Sequence, residues 1–188
     1  MMNNKNTKII DAAIRLFAEE GISVPTARIA KEAGVSNGTL FNYFATKQEL
    51  IDGVYFAIKQ KIADALIGDL DTQKDIKTLF LNIWTSYILW ANKYPLEHQV
   101  VNLLKTSNIL SANVKEAVDD FFVIIFKALD KGVKEKVFID VPIAYLAEVA
   151  GAQMNAAIDY TQKNKLTKTQ LETYIQISYQ IYWKGISA

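Results

Sequence analysis

The chain of 188 residues has no cysteine, one histidine, three prolines and eight glycines. Without cysteine there are no disulfides, zinc–thiolate sites, iron–sulfur clusters or thiol nucleophiles. With His98 as the lone histidine, a multi-histidine metal site within one chain is excluded. No metal or cofactor is expected. The longest aliphatic and aromatic run, from Phe121 to Phe126, is far too short for a membrane span, so no membrane partner is expected. The stretch Met1, Met2, Asn3, Asn4, Lys5 has no apolar signal region, and the expected location is the cytoplasm. Neither sign of charge is in excess. Twenty-one Lys and Arg against 20 Asp and Glu give a net charge of +1, too even to announce a nucleic-acid partner. Residues 1–63 hold 8 basic and 6 acidic side chains, a net of +2, and the remainder holds 13 and 14, a net of −1.

What is present is a folding chain. It is 51% hydrophobic and 22% charged, a composition that supports a core. Its length suits one domain, or a small domain joined to a larger one. Apolar spacing is helical almost throughout, with no convincing period-two strand, and about nine helices are expected. Ile10, Ala13, Ile14 and Phe17 form an i, i+3, i+4, i+7 stripe. Gly21 ends that helix. Thr26 is the expected N-cap of a short second helix, and Gly34 ends it. Ser36 caps a third helix through Tyr43 or Phe44. Thr46 and Glu49 form a capping box opening a linking helix over about 46–68. Thr72 and Asp75 mark the next start, and Pro95 suits the first turn of another helix. Asn113 with Glu116 opens a helix holding Val118, Phe122, Ile125 and Leu129. Asp140 and Pro142 open a long helix to about Tyr160. Thr167 with Gln170 is a further capping box before the last helix.

The informative stretch is TARIAKEAGVSNGTLFNYFATKQEL, residues 26–50. Ala30 is small where two helices cross, Gly34 supplies a positive φ, Val35 plugs the gap and Ser36 caps the third helix. This is the turn of a helix-turn-helix unit, whose second helix enters a major groove. An ordinary helical corner is the competing reading. The third helix favours the DNA-binding reading, because it carries Asn37, Thr39, Phe41, Asn42 and Tyr43 outward and needs only Leu40 and Phe44 inside.

Together with IIDAAIRLFAEEG at residues 9–21, that stretch resembles the DNA-binding domain of TetR/AcrR-type transcriptional regulators. The resemblance covers residues 5–52. It implies an all-α protein with a three-helix DNA-binding head at residues 1–47 and a helical ligand-binding and dimerisation bundle at 48–188. The implied function is that of a homodimeric regulator, a repressor released from a palindromic operator by a small apolar or aromatic effector. The implied partners are therefore double-stranded operator DNA, that effector and a second copy of the chain. The DNA-contacting set that the resemblance implies is Thr26, Arg28, Lys31, Asn37, Gly38, Thr39, Phe41, Asn42, Tyr43 and Lys47. Two departures stand out. Phe41 lies where the family commonly has tyrosine, so a phosphate-reaching hydroxyl is missing. The connection after Gly21 is one residue shorter than usual, with Pro25 to stiffen it. No Lys or Arg lies between Lys31 and Lys47, so the third helix lacks the bidentate arginine–guanine contact. Half-sites with A·T contacts and a modest salt slope are expected.

Residues 70–188 show no catalytic constellation, and the protein is not expected to be an enzyme. The aromatic and polar set Trp84, Tyr87, Trp90, His98, Phe122, Tyr145, Met154 and Asn155 is a candidate effector pocket: several polar-tipped aromatics suit an apolar cavity with a few directing groups. Their helical spacing suits a plain core equally well. Ala147 and Gly151, small residues on one helix, and Ile175, Tyr179 and Tyr182 on the last are the candidate dimer surface. The competing function is a small-molecule carrier whose helix-turn-helix is only a corner of the fold.

Overall fold

A computed structural model describes residues 4–68, 70 and 74–188; Thr72, expected to mark a helix start, lies outside them. The described residues are all-α: α1 (Asn4–Glu20), α2 (Thr26–Glu32), α3 (Asn37–Tyr43), α4 (Lys47–Ile67), α5 (Ile76–Lys93), α6 (Pro95–Thr106), α7 (Ala112–Asp119), α8 (Val123–Lys134), α9 (Ile143–Asn164) and α10 (Lys168–Ile186). One isolated antiparallel bridge joins Phe138 to Ser187.

Ten helices appear rather than about nine because the segment expected as one helix from Asn113 is broken. Ser111, not Asn113, caps α7 by accepting from the Val114 N–H at 3.3 Å. A three-residue 3-10 turn, Asp120–Phe122, then separates α7 from α8. Asp119 and Asp120 put two carboxylates at the C-terminal end of α7, where the helix dipole disfavours them.

Other boundaries follow their caps. Gly21 closes α1 at φ +82, its N–H donating to the Phe17 carbonyl at 3.1 Å. Asp75 accepts from the Thr78 N–H at the start of α5. Pro95 opens α6. Thr167 and Gln170 form the reciprocal capping box of α10. At α2 the expectation fails. Pro25 is the N-cap and Thr26 the first helical residue. Proline's fixed φ of −66 sets the extended residue before the helix, and its carbonyl accepts from Arg28 and Ile29 at 3.0 and 3.3 Å.

The chain forms two compact units, one of residues up to Lys61 with Tyr94–Asp120, the other of Ile62–Lys93 with Phe121–Ala188. This spatial division differs from the functional one expected at residue 47.

In the first unit, the α1 stripe of Ile10, Ala13, Ile14 and Phe17 is buried. The Gln99 side chain of α6 donates to the Ala18 carbonyl of α1 at 3.0 Å. Gln48 of α4 donates to the Ile109 carbonyl at 2.9 Å, and Asp52 accepts from the Ser111 N–H at 3.2 Å. Lys61 pairs with Glu97 at 3.4 Å. These contacts run α4 and α6 antiparallel.

In the second unit, α5 packs with α9 and α10. Trp84 donates to Ser178 at 2.9 Å and stacks on Tyr182 with ring centroids 4.9 Å apart. Asn92 of α5 donates to the buried Thr161 hydroxyl of α9 at 3.1 Å.

One close approach fixes the head. A Cβ placed on Gly53 of α4 would lie 2.6 Å from a ring carbon of Phe44, far inside van der Waals contact. Gly53→Ala is expected to destabilise the protein by about 1–3 kcal/mol, read as a lower urea midpoint. An unchanged midpoint would mean that the Phe44 ring moves aside freely and does not set the position of α3.

Candidate nucleic-acid interface

The site is built from a turn and two faces. After α2, the Gly34 N–H donates to the Lys31 carbonyl at 3.1 Å and the Val35 N–H to the Ala30 carbonyl at 3.0 Å. Gly34 sits at φ +67, a left-handed conformation that a Cβ would strain. Ala30 is 1% exposed, so the small residue lies where the backbones come together. Ser36 caps α3, its hydroxyl oxygen accepting from the Thr39 N–H at 3.0 Å and lying 2.9 Å from the Thr39 hydroxyl.

The two faces of α3 then separate as the i, i+4 spacing requires. Leu40 is fully buried and Phe44, at the C-cap, nearly so. Asn37, Gly38, Phe41 and Asn42 are exposed, while Thr39 and Tyr43 are half-buried. Phe41 is 40% exposed, an apolar ring partly open to solvent. The exposed face carries amide donors and acceptors, a hydroxyl and rings, and no charge.

The start of α4 is capped on both sides. The Thr46 hydroxyl oxygen accepts from the Glu49 N–H at 3.1 Å, and the Glu49 carboxylate accepts from the Ala45 N–H at 2.9 Å. Lys47, the first residue of α4, is half-buried. Arg28 and Lys31 are exposed on α2. Arg28 lies 3.5 Å from Glu20, and Arg15 lies 3.4 Å from Glu32. Both pairs are exposed, so they hold little stability, and the Arg28 guanidinium can turn to another anion at low cost. The ten expected residues thus fall on α2, α3 and the first turn of α4, with the uncharged ones on one helix face.

The effector-pocket candidates separate. Trp84 is 3% exposed and closes the packing of α5 on α10. Tyr87 and Trp90 stack with centroids 5.9 Å apart. Met154 and Asn155 are half-buried on α9, and Phe122 half-buried beside Phe121. Tyr145 is 59% exposed, which corrects its expected place in an enclosed pocket: Leu146, its neighbour, takes the inward position of that turn. His98 is buried in the other unit, its Nε2 3.1 Å from the Asn102 amide nitrogen.

Three dimer candidates are also corrected. Ile175, Tyr179 and Tyr182 are buried within their own chain. The Tyr179 hydroxyl donates to the Lys77 carbonyl at 2.6 Å and the Tyr182 hydroxyl to the Leu146 carbonyl at 3.1 Å. Burial holds both phenols above their usual range, Tyr182 up to about 12. Ala147 is half-buried, and a Cβ on Gly151 would meet open space. The exposed apolar groups of these helices are instead Tyr145, Tyr160, Tyr174, Ile177 and Ile181.

One group carried no expectation at all. Burial pulls the Lys59 ammonium of α4 down to about 8, aided by the charge of Lys105 and opposed by that of Asp119. Burial, then Asp119, raises the Tyr55 phenol one turn earlier. The available sequence signal was a lysine inside the buried series Tyr55, Ile58, Ile62 and Leu66.

Among the described residues, no group of three or more His, Cys, Asp or Glu is placed to hold a metal ion, and no helix is long and apolar enough to cross a membrane.

Known proteins share both the motif and the fold. Residues 9–54 match the family described as bacterial regulatory proteins, tetR family. The HTH-type transcriptional repressor KstR2 of Rhodococcus jostii is 26% identical over 157 residues, 76% of this chain and 74% of that one. The fatty acid metabolism regulator protein of Bacillus subtilis is 27% identical over 133 residues, 69% of each chain. A crystal structure described as that of a tetR family transcription regulator from Shewanella sp. PV-4 superposes with a TM-score of 0.89 at 25% identity, over 98% of both chains.

The two faces of α3 should respond differently to truncation. Asn42→Ala and Phe41→Ala should leave stability within about 0.5 kcal/mol, whereas Leu40→Ala should cost about 2–5 kcal/mol. Urea unfolding checks this, and a loss above about 1 kcal/mol for Asn42→Ala would give that side chain a structural role. For Lys59, the unfolded chain binds the extra proton between about pH 8 and the ordinary lysine range. Wild-type stability should therefore rise with pH across that window relative to Lys59→Met. Parallel curves for the two proteins from about pH 7 to 10 would contradict the desolvation of Lys59.

Proposed function

We propose that this chain, which belongs to the tetR family of bacterial regulatory proteins and is a DNA-binding transcriptional regulator, is a cytoplasmic repressor that binds a palindromic operator as a homodimer and releases it on binding a small apolar or aromatic effector. The observation that carries the DNA-binding part is the exposed, uncharged outer face of α3, opposite the buried Leu40 and Phe44. Asn37 or Asn42 pairs with adenine N6 and N7. Thr39, Phe41 and Tyr43 contact sugars, phosphates or thymine methyls. Arg28, Lys31 and Lys47 hold the phosphate backbone, and Thr26 and Gly38 lie where the backbone comes closest. Half-sites therefore contain A·T pairs.

A single helix-turn-helix binds weakly, so two copies must present α3 about one helical turn, roughly 34 Å, apart. The exposed aromatic and branched residues of α9 and α10 support such a pairing. Tyr145, Tyr160, Tyr174, Ile177 and Ile181 are apolar groups left at the surface, and Ala147 and Gly151 allow close approach. The tyrosines at 160 and 174 already lie together, hydroxyl to hydroxyl at 3.2 Å.

Release requires an effector that prefers a head spacing unlike that of the operator, since only differential affinity shifts the equilibrium. Helix α4 is the coupling element. It starts beside α3 and continues as one helix from the first unit's residues into the second's. A relative named for fatty acid metabolism supports an apolar effector, received near Tyr87, Trp90, Met154 and Asn155.

Selection of bound fragments from a random DNA pool should return inverted repeats with A·T pairs in each arm. On such a fragment, Asn42→Ala and Lys47→Ala should each weaken binding about tenfold, with unfolding midpoints unchanged. Ile177→Glu with Ile181→Glu should yield a monomer by sedimentation and abolish operator binding. Tight, sequence-independent binding by wild type, or a double variant that stays dimeric and bound, would reject this reading.

A further inference from the structure

We infer that the Asn37–Gly38 peptide of α3 is a site of spontaneous deamidation, and that the negative charge this leaves on the outer face of α3 weakens DNA binding as the protein ages. The effect on binding rests on the proposed DNA-binding role of that face; the chemistry at Asn37 does not.

The sequence contains a single Asn–Gly step, and every other asparagine precedes a residue with a side chain. The step matters because the attacking group is the backbone nitrogen after the asparagine, which a following Cβ would crowd and glycine leaves open. Asn37 and Gly38 are both exposed. A Cβ built on Gly38 would meet nothing nearer than Ser36 Oγ at 4.0 Å. The hydrogen bonds that begin α3 go from the Thr39 N–H to the Ser36 hydroxyl oxygen and from the Leu40 N–H to the Ser36 carbonyl. The Gly38 N–H lies ahead of both, among the first N–H groups that a helix leaves without an internal acceptor.

Attack requires the peptide plane after Asn37 to rotate out of its helical setting. Asn37 is the first residue of a helix seven residues long, so only the first turn must open, and terminal turns of short helices open at little cost. Other candidates are held closed. The Asn92, Asn102 and Asn164 amides donate to the carbonyls four residues earlier. Asp52 also precedes a glycine, but it lies within α4 and accepts from Gln48 and from the Ser111 N–H.

The Gly38 nitrogen gives up its proton and attacks Asn37 Cγ. The new N–Cγ bond forms, the Cγ–Nδ2 bond breaks, and Nδ2 takes a proton and leaves as ammonia. Water then opens the five-membered imide. Addition at Cγ gives aspartate, and addition at the main-chain carbonyl gives isoaspartate. Either product carries one more negative charge. No Lys or Arg lies between Lys31 and Lys47, so α3 has no cation to offset it against DNA phosphates. The lost amide donor also ends pairing with adenine N6 and N7. A carboxylate in the first turn suits the helix dipole, so the aspartate form stays folded while its binding falls.

The test holds the purified full-length protein in mildly alkaline buffer at body temperature and maps its peptides by mass over time. Asn37 should gain a single mass unit. Asn42, exposed on the same helix but followed by Tyr43, should stay intact. Gly38→Ala should slow the change about tenfold or more. If that variant fails to fold, Asn37→Gln gives the same readout, because its longer side chain must close a larger ring and should stay intact. The converted form, separated by anion exchange, should bind a selected operator fragment about tenfold or more weakly than the unconverted form. Asn37→Asp should reproduce that loss with an unfolding midpoint no lower than that of wild type. Conversion at Asn37 no faster than at Asn42, or undiminished in the variants, would overturn the site. Equal operator affinity of the two forms would overturn its effect on binding. If the unconverted protein binds no operator, the DNA-binding reading fails, and the mass map still decides the chemistry at Asn37.

Discussion

The contact on which the outer face of α3 depends is that of Phe44 with Gly53. The phenyl ring caps α3 and lies where a Cβ at position 53 of α4 would stand. It fixes the rotation of a helix only seven residues long, which has too few backbone hydrogen bonds to hold itself in water. Leu40, four residues earlier, is fully buried and supplies the second inward anchor. With two residues pinned, Asn37, Gly38, Phe41 and Asn42 are left exposed and Thr39 and Tyr43 half-buried. The uncharged character of the outer face is thus not a requirement of folding.

A second constraint ties this surface to the rest of its unit. Helix α6 reaches α1 through Gln99 and α4 through the Lys61–Glu97 pair, and the segment after it is held to the start of α4 by Gln48 and the Ile109 carbonyl. The head is therefore not an appendage hung on α4 alone.

Much of this was legible in the sequence, for physical reasons that differ by element. The helix-turn-helix was readable because each of its residues answers a local demand: Gly34 a positive φ, Ser36 a free backbone N–H, Leu40 and Phe44 a one-sided core. The capping box at Thr167 and Gln170 and the proline opening α6 are local in the same sense. What escaped was set by partners far along the chain. Tyr179 and Tyr182 look like surface aromatics until Lys77 and Leu146 take their hydroxyls. The fracture between α7 and α8 interrupts an apolar period that continues unbroken in the letters. The placement of residues 94–120 with the head rests on the buried Val100, Val101 and Leu104 of α6 together with polar contacts to α1 and α4, and apolar spacing marks a buried face without naming its distant partner. Lys59 was hidden for the opposite reason: a lysine on a helix reads as surface until its neighbours are known.

The central claim is that the outer face of α3 meets base edges twice, once from each copy of the chain. A hydroxyl-radical footprint of the purified protein on a selected fragment tests it most directly. Two protected patches related by a two-fold axis are predicted, their centres about one helical turn apart. A single patch, or uniform protection that shifts with fragment position instead of sequence, would contradict it.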